Sequence, residues 1–437
     1  THDLPRRQRA PRLTRPTAAR RLQRMSSVPE ARPVGYLALL RGNRSYRLMW
    51  AGQVVILLGD WFGLVASAVL VGRLTGSALA VSGLFLVRML PPFLMSPIAG
   101  VAADRYDRRL LLVGSDLIRA VTVLGFFLVR EPSDVWLLYA LTAVQLSLTG
   151  VFFPARNALL PMVVGERELG TANALGATSW SVMLALGAAL GGLVAGQFGV
   201  RVAFAIDAAS YLLSAALLMS IPGRFRPTSD RTNLSVWSAG REYFDGLTYL
   251  WRHREVLFVS LHKAIFGLTM GGALQVVQVT LAQTVFVIGE GGSTSLGLMY
   301  AMAGVGTGVG PIVARRLTGD DPAKLRRMII VGYLSAAVGL AIIAPLASFA
   351  VVLVGIFIRG FGNGVNWVFS TQLLMMQVPN DVRGRVFSTE FAAFTLAQAV
   401  GTAIGGWAID FAGFGLSQIV ITLTMLPLIP GALWVWW

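Results

Sequence analysis

The chain has 437 residues, of which 55% are hydrophobic and only 13% are charged, and its formal net charge is +16. Soluble domains carry about 25% charged residues, so this composition excludes an ordinary soluble protein and indicates a polytopic membrane protein. The chain has no cysteine and three scattered histidines. Disulfides and thiolate metal sites are therefore excluded, and we predict no metal and no cofactor.

The first 33 residues are rich in Arg and Pro and poor in aromatic residues. Such a segment cannot bury enough apolar surface to fold, and we predict a disordered, basic cytoplasmic tail at 1–33. A basic tail that touches anionic lipid is an equally good interpretation. Met25 opens a more ordinary start, which leaves open whether residues 1–24 belong to the native protein.

The rest of the chain is a series of long apolar runs. A helix needs about 20 apolar residues to cross the hydrocarbon core of a membrane, and about twelve runs of suitable length can be marked. The predicted spans are 46–73, 79–101, 108–130, 135–155, 171–198, 202–221, 256–287, 294–314, 327–347, 349–377, 385–411 and 414–437.

The distribution of Lys and Arg predicts the topology. With both termini inside, most of the 37 cations fall in cytoplasmic segments, which is the positive-inside pattern of a plasma (inner) membrane protein. This pattern explains the net charge without a nucleic-acid partner. The longest polar stretch between spans divides the chain into an N-terminal six-helix bundle at 34–222, a cytoplasmic linker with an amphipathic helix at 223–255, and a C-terminal six-helix bundle at 256–437.

An internal repeat supports the division into two halves. Residues 150–199 align without a gap on residues 364–413, and the glycines stay in register over the whole stretch. Small residues at this spacing are typical of close helix packing in lipid. We therefore predict an all-α polytopic membrane protein, with twelve transmembrane helices in two pseudo-symmetric six-helix bundles.

A short charged turn between the second and third spans carries the most specific motif. It reads Gly100-Val-Ala-Ala-Asp104-Arg105-Tyr-Asp-Arg108-Arg109 and resembles the signature loop of major facilitator superfamily transporters. The motifs Gly59-Asp-Trp and Phe153-Pro-Ala-Arg-Asn resemble the exporter branch that contains macrolide efflux pumps and enterobactin-type siderophore exporters. The resemblance covers essentially all of residues 36–437.

This resemblance implies a major facilitator fold and a function. The expected protein exports an amphipathic small molecule, such as a drug, macrolide or siderophore, by alternating access, with protons as the coupling partner. A lysophospholipid flippase or an uptake carrier without proton antiport shares every motif and remains the alternative. The chain is not expected to be an enzyme, because it has no recognisable nucleophile, zinc or paired-carboxylate motif. Its expected partners are the substrate, protons and membrane lipid, and it is expected to be a monomer.

Charged residues inside the predicted spans are the candidates for chemistry, because a charge in the hydrocarbon core must pair, protonate or face water. Asp60, near the middle of the first span, is the leading proton-coupling candidate, with Arg88 as the cation that competes for its carboxylate. A permanent Asp60–Arg88 ion pair that only packs two helices is the structural alternative. Asp116 and Arg119, three residues apart on one helix face, are predicted to form a structural ion pair.

The resemblance also implies a gating latch, in which the loop acid docks on the positive N-terminal end of the eleventh helix. Simple retention of topology by charge is the alternative interpretation of these residues. The latch residues would be Gly100, Asp104, Arg105, Arg108, Arg109 and Glu390.

A substrate pocket is expected near the midplane between the two halves. Its candidate residues form an amphipathic mixture that suits a bulky, partly apolar molecule, although ordinary helix packing explains each residue alone. They are Trp61, Gln145, Met270, Gln275, Gln278, Arg359, Asn363, Asn366 and Trp367.

Overall fold

The computed structural model describes residues 34–223, 225 and 247–436. Within its helices, the side chains of residues 93, 96–101, 103–105, 269–270 and 380–381 lie outside that description. The predicted tail at 1–33 and most of the predicted amphipathic linker helix also lie outside the described residues. All regular secondary structure in the described part of the chain is helical.

A short helix, Tyr36–Gly42, precedes the N-terminal half. Six long helices follow it, and two of them continue or begin as a short 3-10 turn at Phe126–Leu128 and Pro132–Asp134. They are α1 Arg44–Thr75, α2 Ala78–Arg105, α3 Arg108–Gly125, α4 Val135–Val163, α5 Glu166–Phe198 and α6 Val200–Met219.

The C-terminal half repeats this arrangement, with two of its helices divided into segments. Helix α7 consists of Arg254–Phe266 and Gly272–Thr284, joined by a π-helical turn at Gly267–Gly271. The others are α8 Ser293–Thr318, α9 Pro322–Ile343, α10 Phe349–Gln377, α11 Asn380–Phe411, and α12 formed by Leu416–Met425 and Leu428–Trp436.

Ten helices of the described chain are long and apolar enough to cross a membrane. The predicted spans that fall outside this set are the second, in which the apolar helical stretch is the shorter Ala78–Pro92, and the seventh, which the π-helical turn divides. Helix α4 runs eight residues beyond the predicted end at 155, through Val163. The helix continues past Arg156, whose guanidinium donates a hydrogen bond to Gln53 of α1.

Consecutive helices alternate in direction, so the bundle has two ends. We call the end that carries residues 34–43 and the segment between α6 and α7 the linker face, and the other end the opposite face. The halves α1–α6 and α7–α12 meet mainly where α5 packs on α8 and α2 packs on α11. Hydrogen bonds between described residues of the two halves lie near the opposite face, where Gln283 donates to the Val69 carbonyl at 3.0 Å and Ser82 donates to the Thr402 carbonyl at 2.9 Å.

The repeated glycines lie where these helices cross. A Cβ atom on Gly192 of α5 would lie 2.6 Å from the Gly297 Cα of α8, and one on Gly406 of α11, the repeat partner of Gly192, would lie 2.8 Å from the Ala78 carbonyl of α2. Such distances leave no room for a side chain. The small residues of the repeat therefore bring backbone against backbone between the halves, as small residues do at helix contacts in lipid.

Asp410, near the end of α11, caps the start of α2 in the other half. Its carboxylate accepts hydrogen bonds from the Ser77 hydroxyl at 2.6 Å, the Ala78 N–H at 3.0 Å and the Leu79 N–H at 2.9 Å. The first N–H groups of a helix have no partner within the helix, and a carboxylate is favoured there by the helix dipole. One side chain thus joins the halves at the opposite face.

Replacing Asp410 by Ala is expected to weaken this closure, because loss of a helix cap costs about 0.5–2 kcal/mol. The chain has no cysteine, so a single Thr284→Cys reporter at the opposite face can be labelled cleanly with a membrane-impermeant maleimide. Labelling should become faster in the Asp410→Ala background. Asp321 caps α9 within one half, so Asp321→Ala is the control and should leave the labelling rate unchanged. Equal rates in both variants would contradict a role for Asp410 in closure.

Candidate functional site

Asp60 is the acceptor at the end of a hydrogen-bonded chain within the N-terminal half. Gln145 of α4 donates to the Tyr211 hydroxyl of α6 at 3.0 Å, and that hydroxyl donates to Asp60 Oδ1 of α1. Gln145 and Tyr211 are buried, whereas Asp60 is half-buried. Three helices are therefore linked through side chains that end on one partly accessible carboxylate.

Arg119 and Asp116 of α3 form an ion pair beside this chain. Both side chains are essentially inaccessible, and the Ser214 hydroxyl of α6 donates to Asp116 Oδ2 at 2.7 Å. The Arg119 guanidinium lies between two aromatic rings, 4.5 Å from the Phe152 centroid and 4.6 Å from the Tyr211 centroid. Arginine stacks in this way on aromatic faces, so the pair also fixes the position of the tyrosine that donates to Asp60.

Arg88 forms no ion pair with Asp60 within 4.0 Å in the described part of the chain, and Asp60 is held by Tyr211 instead. A second carboxyl group, Asp207 of α6, is fully buried against Gly59 and Gly63 of α1. Sequence reasoning missed Tyr211 as a partner and gave Asp207 no role. Asp207 stands out in the sequence as a charge within a predicted span, but nothing in a single sequence marks Tyr211, because its contact with Asp60 joins positions about 150 residues apart in the chain.

A second charged cluster lies in the C-terminal half. Lys263 Nζ of α7 lies 3.0 Å from Glu390 Oε1 of α11, and the two side chains are 6% and 3% exposed. Lys263 also donates to the Thr371 hydroxyl of α10 at 2.7 Å and lies 4.5 Å from the ring centroid of Trp367. Glu390 and Trp367, which the sequence assigned to a latch and a pocket, are thus brought together by a lysine that it assigned to neither.

The remaining pocket candidates lie on α1, α7 and α10. Asn366 is fully buried on α10 and faces Gly332 of α9. Arg359 is buried where α10 meets Gly339 of α9. Asn363 is half-buried on α10.

Trp61 packs across the halves on Tyr300 of α8, with ring centroids 5.8 Å apart. Gln278 of α7 is buried and Gln275 is half-buried. The side chain of Met270 lies outside the described residues.

The signature turn is described only in part. The side chains of Asp104 and Arg105 and the surroundings of Gly100 lie outside the description. Arg108 donates to the Ala158 carbonyl at 3.0 Å and Arg109 to the Ile221 carbonyl at 2.5 Å. Both contacts stay within the N-terminal half. The latch therefore remains a prediction.

The duplicated bundle of apolar helices, with charged side chains enclosed between them, is that of a polytopic membrane protein. Residues 49–402 match the family described as Major Facilitator Superfamily. This match covers most of the chain, which therefore belongs to that superfamily and is a transporter of its fold. The resemblance predicted from the signature turn is confirmed.

Three relatives from bacteria match most of the chain. An uncharacterized MFS-type transporter, YfiS of Bacillus subtilis (strain 168), is 28% identical over 388 residues, covering 87% of this chain and 91% of its own. A putative bacilysin exporter, BacE of Bacillus subtilis, is 26% identical and covers 84% and 88%. Macrolide efflux protein A of Streptococcus pyogenes is 22% identical and covers 84% and 89%.

Solved structures share the fold at low sequence identity. The nucleoside transporter NupG, as its D323A mutant, has a TM-score of 0.72 at 10% identity and covers 90% of this chain and 99% of its own. A bacterial homologue of the iron transporter ferroportin in an inward-facing state has a TM-score of 0.67 at 16% identity and covers 90% and 98%. These likenesses confirm the all-helical major facilitator fold.

Proposed function

We propose that this transporter exports an amphipathic small molecule by alternating access, and that Asp60 couples the export to protons. The observation that carries the proposal is the half-buried Asp60 carboxylate at the end of the Gln145–Tyr211 chain. A carboxyl group that is held by a neutral hydroxyl can gain and lose a proton without leaving a buried cation unpaired. Two relatives are named as a putative bacilysin exporter and a macrolide efflux protein. These names support export as the direction of transport and a small molecule as the cargo.

The arrangement of the halves supports alternating access. They are joined near the opposite face by Asp410, by the Gln283 and Ser82 hydrogen bonds, and by the Arg73–Glu290 ion pair. With the linker face placed in the cytoplasm, this state is closed to the outside. Export then requires these contacts to open while the two halves close at the linker face, where the predicted latch lies.

Replacing Asp60 by Asn is expected to abolish proton-linked transport while leaving the fold intact, because the amide oxygen can still accept the Tyr211 hydrogen bond but the side chain no longer titrates. The measurement uses proteoliposomes loaded with a pH-sensitive dye, with erythromycin as the probe. We expect erythromycin-dependent proton movement to fall to the level of liposomes that contain no protein.

Asp320 provides the matched control, since it is a carboxylate in an exposed ion pair with Arg315. Asp320→Asn should transport as the wild type does. Proton movement that persists in Asp60→Asn would rule out the coupling role of this residue. Uptake or exchange of the probe without any proton movement in the wild type would instead favour the carrier without antiport.

A further inference from the structure

The Lys263 ammonium occupies a site that is formed around it by other parts of the C-terminal half. One side is the Glu390 carboxylate of α11, 3.0 Å away, and a second is the Thr371 hydroxyl of α10 at 2.7 Å. The faces of Trp367 and Phe387 complete it, with centroids 4.5 Å and 6.0 Å from Nζ. The ammonium is thus surrounded by one charge, one hydroxyl and two aromatic rings.

Helix α10 presents its share of this site on a single stripe. Gly360, Gly364, Trp367 and Thr371 recur at the four- and three-residue spacing that places side chains on one helix face. The two glycines hold α10 tightly against α8, since Cβ atoms there would meet the backbone of Ala303 and Thr307. Beyond the glycines, the same face carries the large tryptophan and the threonine, and it turns them toward α7 and α11.

The outer side of the site is aromatic and partly open. Trp367 is 37% exposed and Phe391 is 55% exposed, and Phe394 links them, with its ring centroid 5.1 Å from that of Trp367 and 6.2 Å from that of Phe391. An aromatic wall of this kind stands between the accessible surface and the buried Lys263–Glu390 pair. A ligand with a flat apolar part could rest on this wall and reach the carboxylate behind it.

A carboxylate beside aromatic faces is the arrangement that recognises organic ammonium groups. Its chemistry does not depend on whether the ammonium belongs to the protein or to a ligand. A buried ion pair contributes little net stability, because the attraction is largely offset by the loss of hydration of both ions. Replacement of one ammonium by another keeps the Glu390 charge compensated, and so avoids the cost of about 3–5 kcal/mol that follows when one member of a buried ion pair is simply removed.

We propose that this cluster is a binding site for a protonated amine of the transported molecule, and that Lys263 is the internal ammonium that such an amine displaces. The inference rests on the proposed function only for the statement that the ligand is cargo. It narrows the substrate class to amphipathic molecules that combine an amine with an apolar or aromatic body. Glu390 supplies the charge, Trp367 supplies the face, and Lys263 holds the site when no cargo is bound.

The test measures binding to the full-length protein in detergent by calorimetry, with 2-phenylethylammonium as the cationic probe and 2-phenylethanol as its neutral counterpart. Lys263→Met removes the internal ammonium while keeping an unbranched side chain. We expect it to bind 2-phenylethylammonium about tenfold or more tightly than the wild type, because the probe no longer competes with Lys263. Binding of 2-phenylethanol should not change.

Two double variants and one control test which residues the gain in probe affinity depends on. Adding Glu390→Gln or Trp367→Ala to Lys263→Met should remove it, whereas adding Trp407→Ala, a substitution at an exposed tryptophan of α11, should not. An unchanged affinity in Lys263→Met, or a gain that survives Glu390→Gln, would overturn the proposal. If Lys263→Met does not fold, Trp367→Ala and Trp407→Ala are compared in the wild-type background, where only the first should weaken probe binding and equal affinities would overturn it.

The binding assay uses no gradient and no vesicle. A protein that lacks proton coupling would fail the Asp60 experiment and still bind the ammonium probe as described. A protein that couples protons but recognises its cargo elsewhere would give the reverse result. The two proposals can therefore fail independently.

Discussion

Replacing Gly192 by Leu is expected to prevent closure of the opposite face and to reduce transport by about tenfold or more. The reason is the contact between the halves, where a Cβ atom on Gly192 would lie 2.6 Å from both the Gly297 Cα and the Ser293 carbonyl oxygen. These are backbone atoms, so no side chain can rotate away to make room. Overpacking typically costs about 1–3 kcal/mol, and a change of this size shifts a two-state population about 5- to 150-fold.

The Thr284→Cys reporter measures this shift directly, because Thr284 lines a cavity of about 250 Å³ at the opposite face, together with Arg73, Gln283 and Asp410. Gly192→Leu should raise its labelling rate from the opposite side and lower transport in the same preparation. Gly170→Leu is the control on the same helix, since a Cβ at Gly170 has no neighbour within 4 Å. A Gly192→Leu protein with normal transport and normal labelling would show that the crossing is not needed for alternation.

Replacing Arg119 by Met is expected to cause a large loss of stability in the N-terminal half. The guanidinium is the partner of the fully buried Asp116, and removing one member of a buried ion pair typically costs about 3–5 kcal/mol because the other charge is left without compensation. The two ring contacts of Arg119 are lost as well. The measurement is the fraction of protein that remains monodisperse in detergent as denaturant is added.

Arg315→Met is the matched comparison, because Arg315 and Asp320 form an ion pair in which the side chains are 65% and 63% exposed. Exposed pairs contribute about 0–1 kcal/mol, so this variant should unfold near the wild-type midpoint. Adding Asp116→Leu to Arg119→Met should recover much of the loss, since no buried charge then remains. If the two single arginine variants were equally stable, the buried pair would not contribute as argued.

The features of the fold that depend on short stretches of sequence could be predicted without a structure. Apolar runs, the distribution of cations and the glycine register are local patterns, and they indicated the helices, the two halves and the helix contacts. The predicted helix ends were less accurate, as at α4, because an apolar window stops at the first charged residue whether or not that residue has a partner. The π-helical turn at Gly267–Gly271 also leaves no mark in hydropathy.

The candidate site was predictable only residue by residue. Charges within apolar runs stand out, so Asp60, Lys263 and Glu390 could be recognised as exceptional, but their partners could not. Tyr211 and Trp367 are ordinary residues for a membrane helix, and their roles arise from contacts between distant segments. The sequence offered Arg88 as the cation that competes for the Asp60 carboxylate, with a permanent pair of the two as the alternative. In the structure, Tyr211 donates the hydrogen bond to this carboxylate.

The paired glycine crossings have a consequence for how this chain can vary. Gly192 and Gly406 occupy equivalent positions in the two repeats and touch backbone in the other half, so the duplication has doubled the number of positions that accept no side chain. A library of all single substitutions should therefore show intolerant positions that recur with the period of the repeat. The charged clusters should show no such recurrence, because the position equivalent to Glu390 in the other repeat is Gly176.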